Sequence, residues 1–171
     1  VFWLARAQYE LQRYKEVLAL LDGFEKRYPQ DPFETRVARL RAHSFLALNR
    51  TEKALTAFSH FHRKYPRSAE ASDNLLDWAN VLIQEGKKDE AKNILDQIIH
   101  TYATSMAAQK ARLTLGRLWV EQKTFDQAQR VLVELAVQED ALRDLRASAW
   151  FLVARVNEQS DKMEEAEKAY V

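Results

Sequence analysis

The chain has 171 residues, room for one ordinary domain or one short repeat array, and its 47% hydrophobic content is too high for disorder. Lys and Arg number 26 against 25 Asp and Glu, so no global field favours nucleic acid or an anionic membrane. Cysteine is absent, which excludes disulfides, zinc-thiolate sites and thiol nucleophiles, and three glycines with three prolines argue against a turn-rich β fold.

Apolar periodicity predicts helices over 1–12, 14–28, 32–48, 51–65, 69–85, 88–102, 105–122, 125–138, 141–159 and 162–171. They pair into nearly five helical hairpins, over units 1–30, 31–67, 68–104, 105–140 and 141–171. Tyr28, Tyr65 and Tyr102 recur 37 residues apart near the unit ends, the mark of stacked supersecondary units. No stretch reaches the ~18 uninterrupted apolar residues that span a bilayer. The chain starts at Val1 and stops at Val171 inside helical patterns, so it reads as a fragment of a longer protein.

Four columns recur in phase. Val17, Ala54, Ala91, Ala128 and Ala166 sit in the second helices, and Ala5, Ala42, Ala79, Gly116 and Ala154 in the first. Large apolar residues follow as Leu21, Phe58, Leu95, Leu132 and Tyr170, then Phe24, Phe61, Ile98 and Leu135. Small residues in one column per helix let two backbones approach, and the large ones fill the adjoining groove. The first-helix stripe is wide: Val37, Ala38, Leu40, Ala42, Phe45, Leu46 and Leu48 in the second unit, and Leu75, Leu76, Trp78, Ala79, Leu82 and Ile83 in the third.

Between paired helices, Asn49 and Gly86 occupy equivalent positions suited to a left-handed C-terminal cap. Thr51 opens the next helix in the second unit. Thr124-Phe125-Asp126-Gln127 and Asp161-Lys162-Met163-Glu164 match capping boxes. Between units, Pro29 and Pro66 stop the second helices, while Asp31 is the expected N-cap, with Pro32 next and Glu34 closing a box.

This pattern resembles the tetratricopeptide repeat. Ala42, Ala54, Phe58 and Pro66 match that unit in the second repeat; Ala79, Ala91 and Leu95 match in the third, with Ala103 in place of Pro. Gly116, Ala128 and Leu132 match in the fourth, with Asp140 in the Pro column. The period of 37 and the Tyr-Pro-x-Ser/Asp ending are similar to longer units of bacterial envelope proteins. The resemblance implies an all-α, right-handed superhelix, an α-solenoid of about five helix-turn-helix units, with ligands against the concave face of the first helices.

Carried onto this sequence, that face consists of Phe2, Arg6, Tyr9, Arg36, Arg39, His43, Asp73, Asp77, Asn80, Lys110, Thr114, Arg117, Glu121, Arg155 and Glu158. Arg36, Arg39 and His43 share a helix face, as do Asp73 and Asp77. A mixed-sign surface of this kind suits an extended peptide or a partner's helix; solvated charges that pair between neighbouring helices are the bland alternative. The family's chaperone-binding members grip a C-terminal carboxylate with Lys and Asn. Here Arg39 and His43 hold the first two of those positions, and Asp77 stands where Asn is wanted, so a terminal carboxylate is not the expected ligand.

Other candidates read as structure. His60 and His62, two apart on a helix, point to different sides and are expected to be solvated around Phe61 rather than to bind metal. His100 has no acidic or histidine neighbour that would make it a ligand, and Trp78, Trp119 and Trp150 read as core. Trp3 is expected to be exposed unless a preceding unit covers it. Glu164, Glu165 and Glu167 read as a solvated face. No phosphate loop, G-x-S-x-G or H-E-x-x-H motif occurs, so no enzyme activity, cofactor or metal is expected.

The resulting expectation is a non-catalytic protein–protein interaction scaffold that binds a partner's peptide or helix in its groove, within a bacterial multi-protein assembly. Neither nucleic acid nor direct membrane insertion is expected, and the periplasm or cell envelope is favoured over the cytoplasm. The alternative is a structural or self-assembling segment of a longer protein, such as a cell-envelope enzyme or lipoprotein, whose activity lies elsewhere. A homodimer through the terminal helix around Met163, Ala166 and Tyr170 is a further option. Enlarging Ala54 or Ala91 to leucine is expected to cost about 1–3 kcal/mol by overpacking, read by urea denaturation.

Overall fold

A computed structural model describes residues 1–160 and 163–170, apart from the side chains of 164, 167 and 170. The capping box expected at Asp161–Glu164, the face through Glu164 and Glu167, and the Tyr170 side chain therefore lie outside the described residues. The described residues form helices without strands, in two compact units, Val1–Val81 and Leu82–Val171.

The first unit contains α1 (Phe2–Glu10), α2 (Tyr14–Leu21), α3 (Phe24–Arg27), α4 (Glu34–Ala47), α5 (Thr51–Lys64) and most of α6 (Ala71–Gln84). The second contains the end of α6, then α7 (Lys88–Thr101), α8 (Met106–Glu121), α9 (Phe125–Val137), α10 (Arg143–Gln159) and α11 (Met163–Tyr170).

Each unit is built on the two small-residue columns. Val17, Ala54, Ala91, Ala128, Ala5, Ala42, Ala79 and Ala154 are buried, as are Leu21, Phe58, Leu95 and Leu132 beside them. Phe24, Phe61, Ile98 and Leu135 complete the seam. The closeness of the approach is visible at Gly116, where an added Cβ would lie 2.4 Å from Leu132 Cδ2 and 2.5 Å from its Cγ. The large residue of α9 has moved into the space that an alanine methyl occupies elsewhere in the column.

The hairpin corners repeat as strictly as the columns. Gln12, Asn49, Gly86 and Lys123 all adopt positive φ, between 56° and 76°. At each corner two bonds close the preceding helix: Asn49 N–H donates to the Leu46 carbonyl (2.8 Å) and Arg50 N–H to that of Phe45 (2.8 Å). The same pair recurs as Gln12 to Tyr9 with Arg13 to Gln8, as Gly86 to Ile83 with Lys87 to Leu82, and as Lys123 to Val120 with Thr124 to Trp119. This is the Schellman arrangement, which satisfies two otherwise orphaned carbonyls.

Four expectations need correction. The helix expected over 14–28 is broken at Asp22, which is extended (ψ 130°), and Gly23, which is left-handed (φ 60°). The freed carbonyls find arginines: the Arg27 guanidinium donates to those of Leu20 and Asp22, and that of Arg41 to Leu21. Asp31 does not cap α4; its Oδ1 accepts from the Phe33 N–H (2.8 Å) in an Asx turn that ends before the helix begins. Glu34 turns away from any box and accepts from Lys64 Nζ (2.5 Å) and the Tyr65 hydroxyl (2.6 Å), bonds that hold its carboxyl below the usual range. Thr124 does not cap α9 either, since its hydroxyl donates back to the Trp119 carbonyl (3.2 Å). Finally, Trp78, Trp119 and Trp150 are half-buried rather than core, and Lys92 Nζ sits 4.3 Å from the Trp119 ring centre.

Buried polar groups join elements. Asn74, fully buried, donates to the Phe58 carbonyl (3.1 Å) and links α6 to α5. The Gln109 side-chain carbonyl accepts from Leu142 N–H (3.1 Å) and fixes the chain entering α10. Gly116→Ala is expected to lower stability by about 1–3 kcal/mol in urea denaturation, with part of the loss recovered when Leu132→Val is added.

Candidate functional site

In the first unit, α1 and α4 border a recess of about 410 Å3, closed at one side by Glu70 ahead of α6. Phe2, Tyr9 and Leu40 supply its apolar surface; Arg6, Arg36, Arg39 and His43 supply cations and donors. At 3.6 residues per turn, Arg36, Arg39, Leu40 and His43 fall on one face of α4. Six of the residues expected on the groove, Phe2, Arg6, Tyr9, Arg36, Arg39 and His43, are thus brought together. Glu70 had no sequence signal beyond its charge. Leu40 had been read only as core.

The cations of this recess are not equivalent. Arg39 donates to Asp77 Oδ2 (2.6 Å) and lies 3.7 Å from Asp73, and His43 Nε2 is 2.9 Å from the same Asp77 oxygen. Burial by itself would raise the Asp77 pKa, but hydrogen bonds from His43 and Arg39 outweigh it and hold the carboxyl below its ordinary range. An ionised carboxylate only accepts, so His43 Nε2 carries the shared hydrogen. The Asp77 and Arg39 side chains are each 25% exposed, so this α4–α6 clamp works partly out of water.

Arg36 is freer. It is 55% exposed, reaches Glu70 only at 3.4 Å, and lies over the Phe33 ring at 5.6 Å. Arg6 pairs with Glu10 one turn along α1 (2.6 Å), both ends exposed, an arrangement of little energetic weight. Tyr9 packs edge-on to Tyr14, and burial with that neighbour pushes its hydroxyl pKa up, so it stays neutral. Trp3 is 67% exposed and edge-on to Phe2 and Phe33 at the margin of the recess.

In the second unit, Arg117, Glu121 and Arg155 line a separate recess of about 430 Å3 with Val120, Lys123, Leu152 and Gln159. Glu121 is already engaged by Lys88 of α7 (2.7 Å). Asn80 and Lys110 are exposed and line neither recess. His60 and His100 are exposed. Among the described residues, no helix is long and apolar enough to cross a membrane.

The sequence profile of the tetratricopeptide repeat matches residues 1–31 and 73–105. Over these two segments the chain carries tetratricopeptide repeats. Its fold is shared with several solved structures. BtubC (BKLC) from P. vanneervenii aligns with a TM-score of 0.75 and 14% identity, over 97% of this chain and 74% of that one. The repeats of a putative kinesin light chain from Podosopora anserina give 0.70 and 16%, over 98% and 89%. MamA from Desulfovibrio magneticus RS-1 gives 0.69 and 14%, over 98% and 87%. No curated protein matches the sequence significantly.

Asp77→Asn is expected to cost about 1–3 kcal/mol at neutral pH, because Arg39 and His43 lose a charged acceptor. The folded-state pKa of Asp77 is depressed, so its contribution is present above the ordinary value of 3.8 and is lost as pH falls through the lower folded value. Urea titrations of the two proteins therefore converge below that pH.

Proposed function

We propose that this tetratricopeptide-repeat chain is a non-catalytic scaffold that holds an acidic peptide or helix of a partner protein in the recess between α1 and α4. The carrying observation is the lining: Arg6, Arg36 and Arg39 stand over Phe2, Tyr9 and Leu40, and Glu70 is the single acid among them. With Arg39 committed to Asp77, the groups left to meet a ligand's carboxylates are Arg36, assisted by Arg6. The aromatic floor gives a partner's apolar side chain a place to leave water, and the charges set its register. Arg117 and Arg155 border a separate cationic recess within the second unit.

This reading narrows the sequence expectation to an acidic partner and takes Arg39 out of the contact. Arg39 acts as a positioning group within the fold, so its reversal would disturb folding and binding together. Arg36 is the cleaner probe.

Capture from separated cytosolic and envelope lysates, comparing the unaltered chain with Arg6→Glu/Arg36→Glu, tests the proposal. A partner retained by the first and weakened at least about tenfold on the second is the expected result, with unchanged thermal melting. Equal capture by both would place the contact elsewhere and overturn the recess as the site.

A further inference from the structure

The first unit has a second recess, on the opposite face of α4. Ala38, Arg41 and Phe45 follow one another at helical spacing roughly half a turn away from Arg36, Leu40 and His43. With α5 and Glu25 of α3 they enclose about 360 Å3. The break at Asp22–Gly23 lies just ahead of α3, where Arg41 is drawn across to the Leu21 carbonyl (2.7 Å) and to Glu25 (2.8 Å).

The interior of this recess is apolar, with Phe45, Ala38, Ala57 and Tyr65 half-buried around it. Its margin is cationic. Lys53, His60 and Arg63 stand along one exposed stripe of α5, with Thr56 between them. None of these three has a hydrogen bond or ion pair among the described residues, while the one acid present, Glu25, is engaged by Arg41. Arg41 and Glu25 cancel each other, and the α5 cations remain uncompensated.

We infer that this face of α4 and α5 is a second docking surface, for a partner helix that inserts an apolar side chain between Phe45 and Tyr65 and presents carboxylates to Lys53 and Arg63. The charge complementarity selects the occupant. A basic or neutral helix would leave Lys53 and Arg63 without counter-charges, and a purely polar segment would leave the Phe45 and Tyr65 surfaces unfilled. The spacing of Lys53, Thr56, Ala57, His60 and Arg63 is that of a helix ridge, which a second helix can lie beside. Because the recess lies across α4 from the one proposed above, the two can be tested separately.

A phage-displayed random-peptide library, selected on the whole chain, tests the inference. The expected pool is acidic with an aromatic or large aliphatic anchor. Its peptides should bind Lys53→Glu/Arg63→Glu at least about tenfold more weakly, and fail on Thr56→Trp, which fills the recess. They should bind Arg6→Glu/Arg36→Glu undiminished. All substituted side chains are exposed, and circular dichroism of each variant should match that of the parent. A pool that is not acidic, or one sensitive only to the α1–α4 substitutions, would overturn the inference. So would self-association in sedimentation that Lys53→Glu/Arg63→Glu abolishes, because the occupant would then be a second copy.

Discussion

Close approach between paired helices is the constraint from which the rest of this structure follows. An alanine, valine or glycine in each helix lets the two backbones come near enough for Leu21, Phe58, Leu95 and Leu132 to be fully buried. Burying one such side chain contributes on the order of 1.5–3 kcal/mol, so the seam outweighs any surface pair in the molecule. It also leaves the outward faces of the first helices unused by the core. Those faces are where Arg6, Arg36, Arg39 and His43 stand.

The recess between α1 and α4 shows how the charges on such a face become unequal. Of its polar groups, Arg39 and His43 are fixed by one part-buried carboxylate, Asp77, while Arg36 keeps most of its exposure. A clamp of this sort holds the wall of the recess in one arrangement, which under the proposed function would lower the ordering cost of binding. The same α4 turns Ala38 and Phe45 toward a second, more apolar recess beside α5. One helix thereby separates two surfaces of different chemistry.

Much of this was legible from residue spacing. The period of 37 located the columns, and each described column member proved buried, because periodic apolar burial has no competing explanation in a helical chain. Asn49 and Gly86 marked two corners correctly; the breaks at Gln12 and Lys123 were also placed by the helix bounds, but neither side chain marks the left-handed backbone that the packed hairpins impose there. Caps were the least legible. Asp31, Glu34 and Thr124 have the right identity and spacing, yet Lys64, Tyr65 and the Trp119 carbonyl are nearer partners than the helix ends. Spacing along one helix also placed Arg36, Arg39 and His43 together. It could not reveal that Asp77 binds two of them, since that contact depends on how α6 is laid against α4.

The corners differ in how far their backbone relies on the packing around them. A left-handed residue other than glycine or asparagine is disfavoured by roughly 1–2 kcal/mol, so Gln12 and Lys123 rarely adopt that backbone in an unstructured chain. At those two corners the packing of the columns on either side must outweigh that cost. Gly86 meets no such resistance, and it joins α6, the helix that crosses from one unit to the other, to α7. Local backbone preference thus helps the corners after α4 and α6, whereas those after α1 and α8 depend on packing alone.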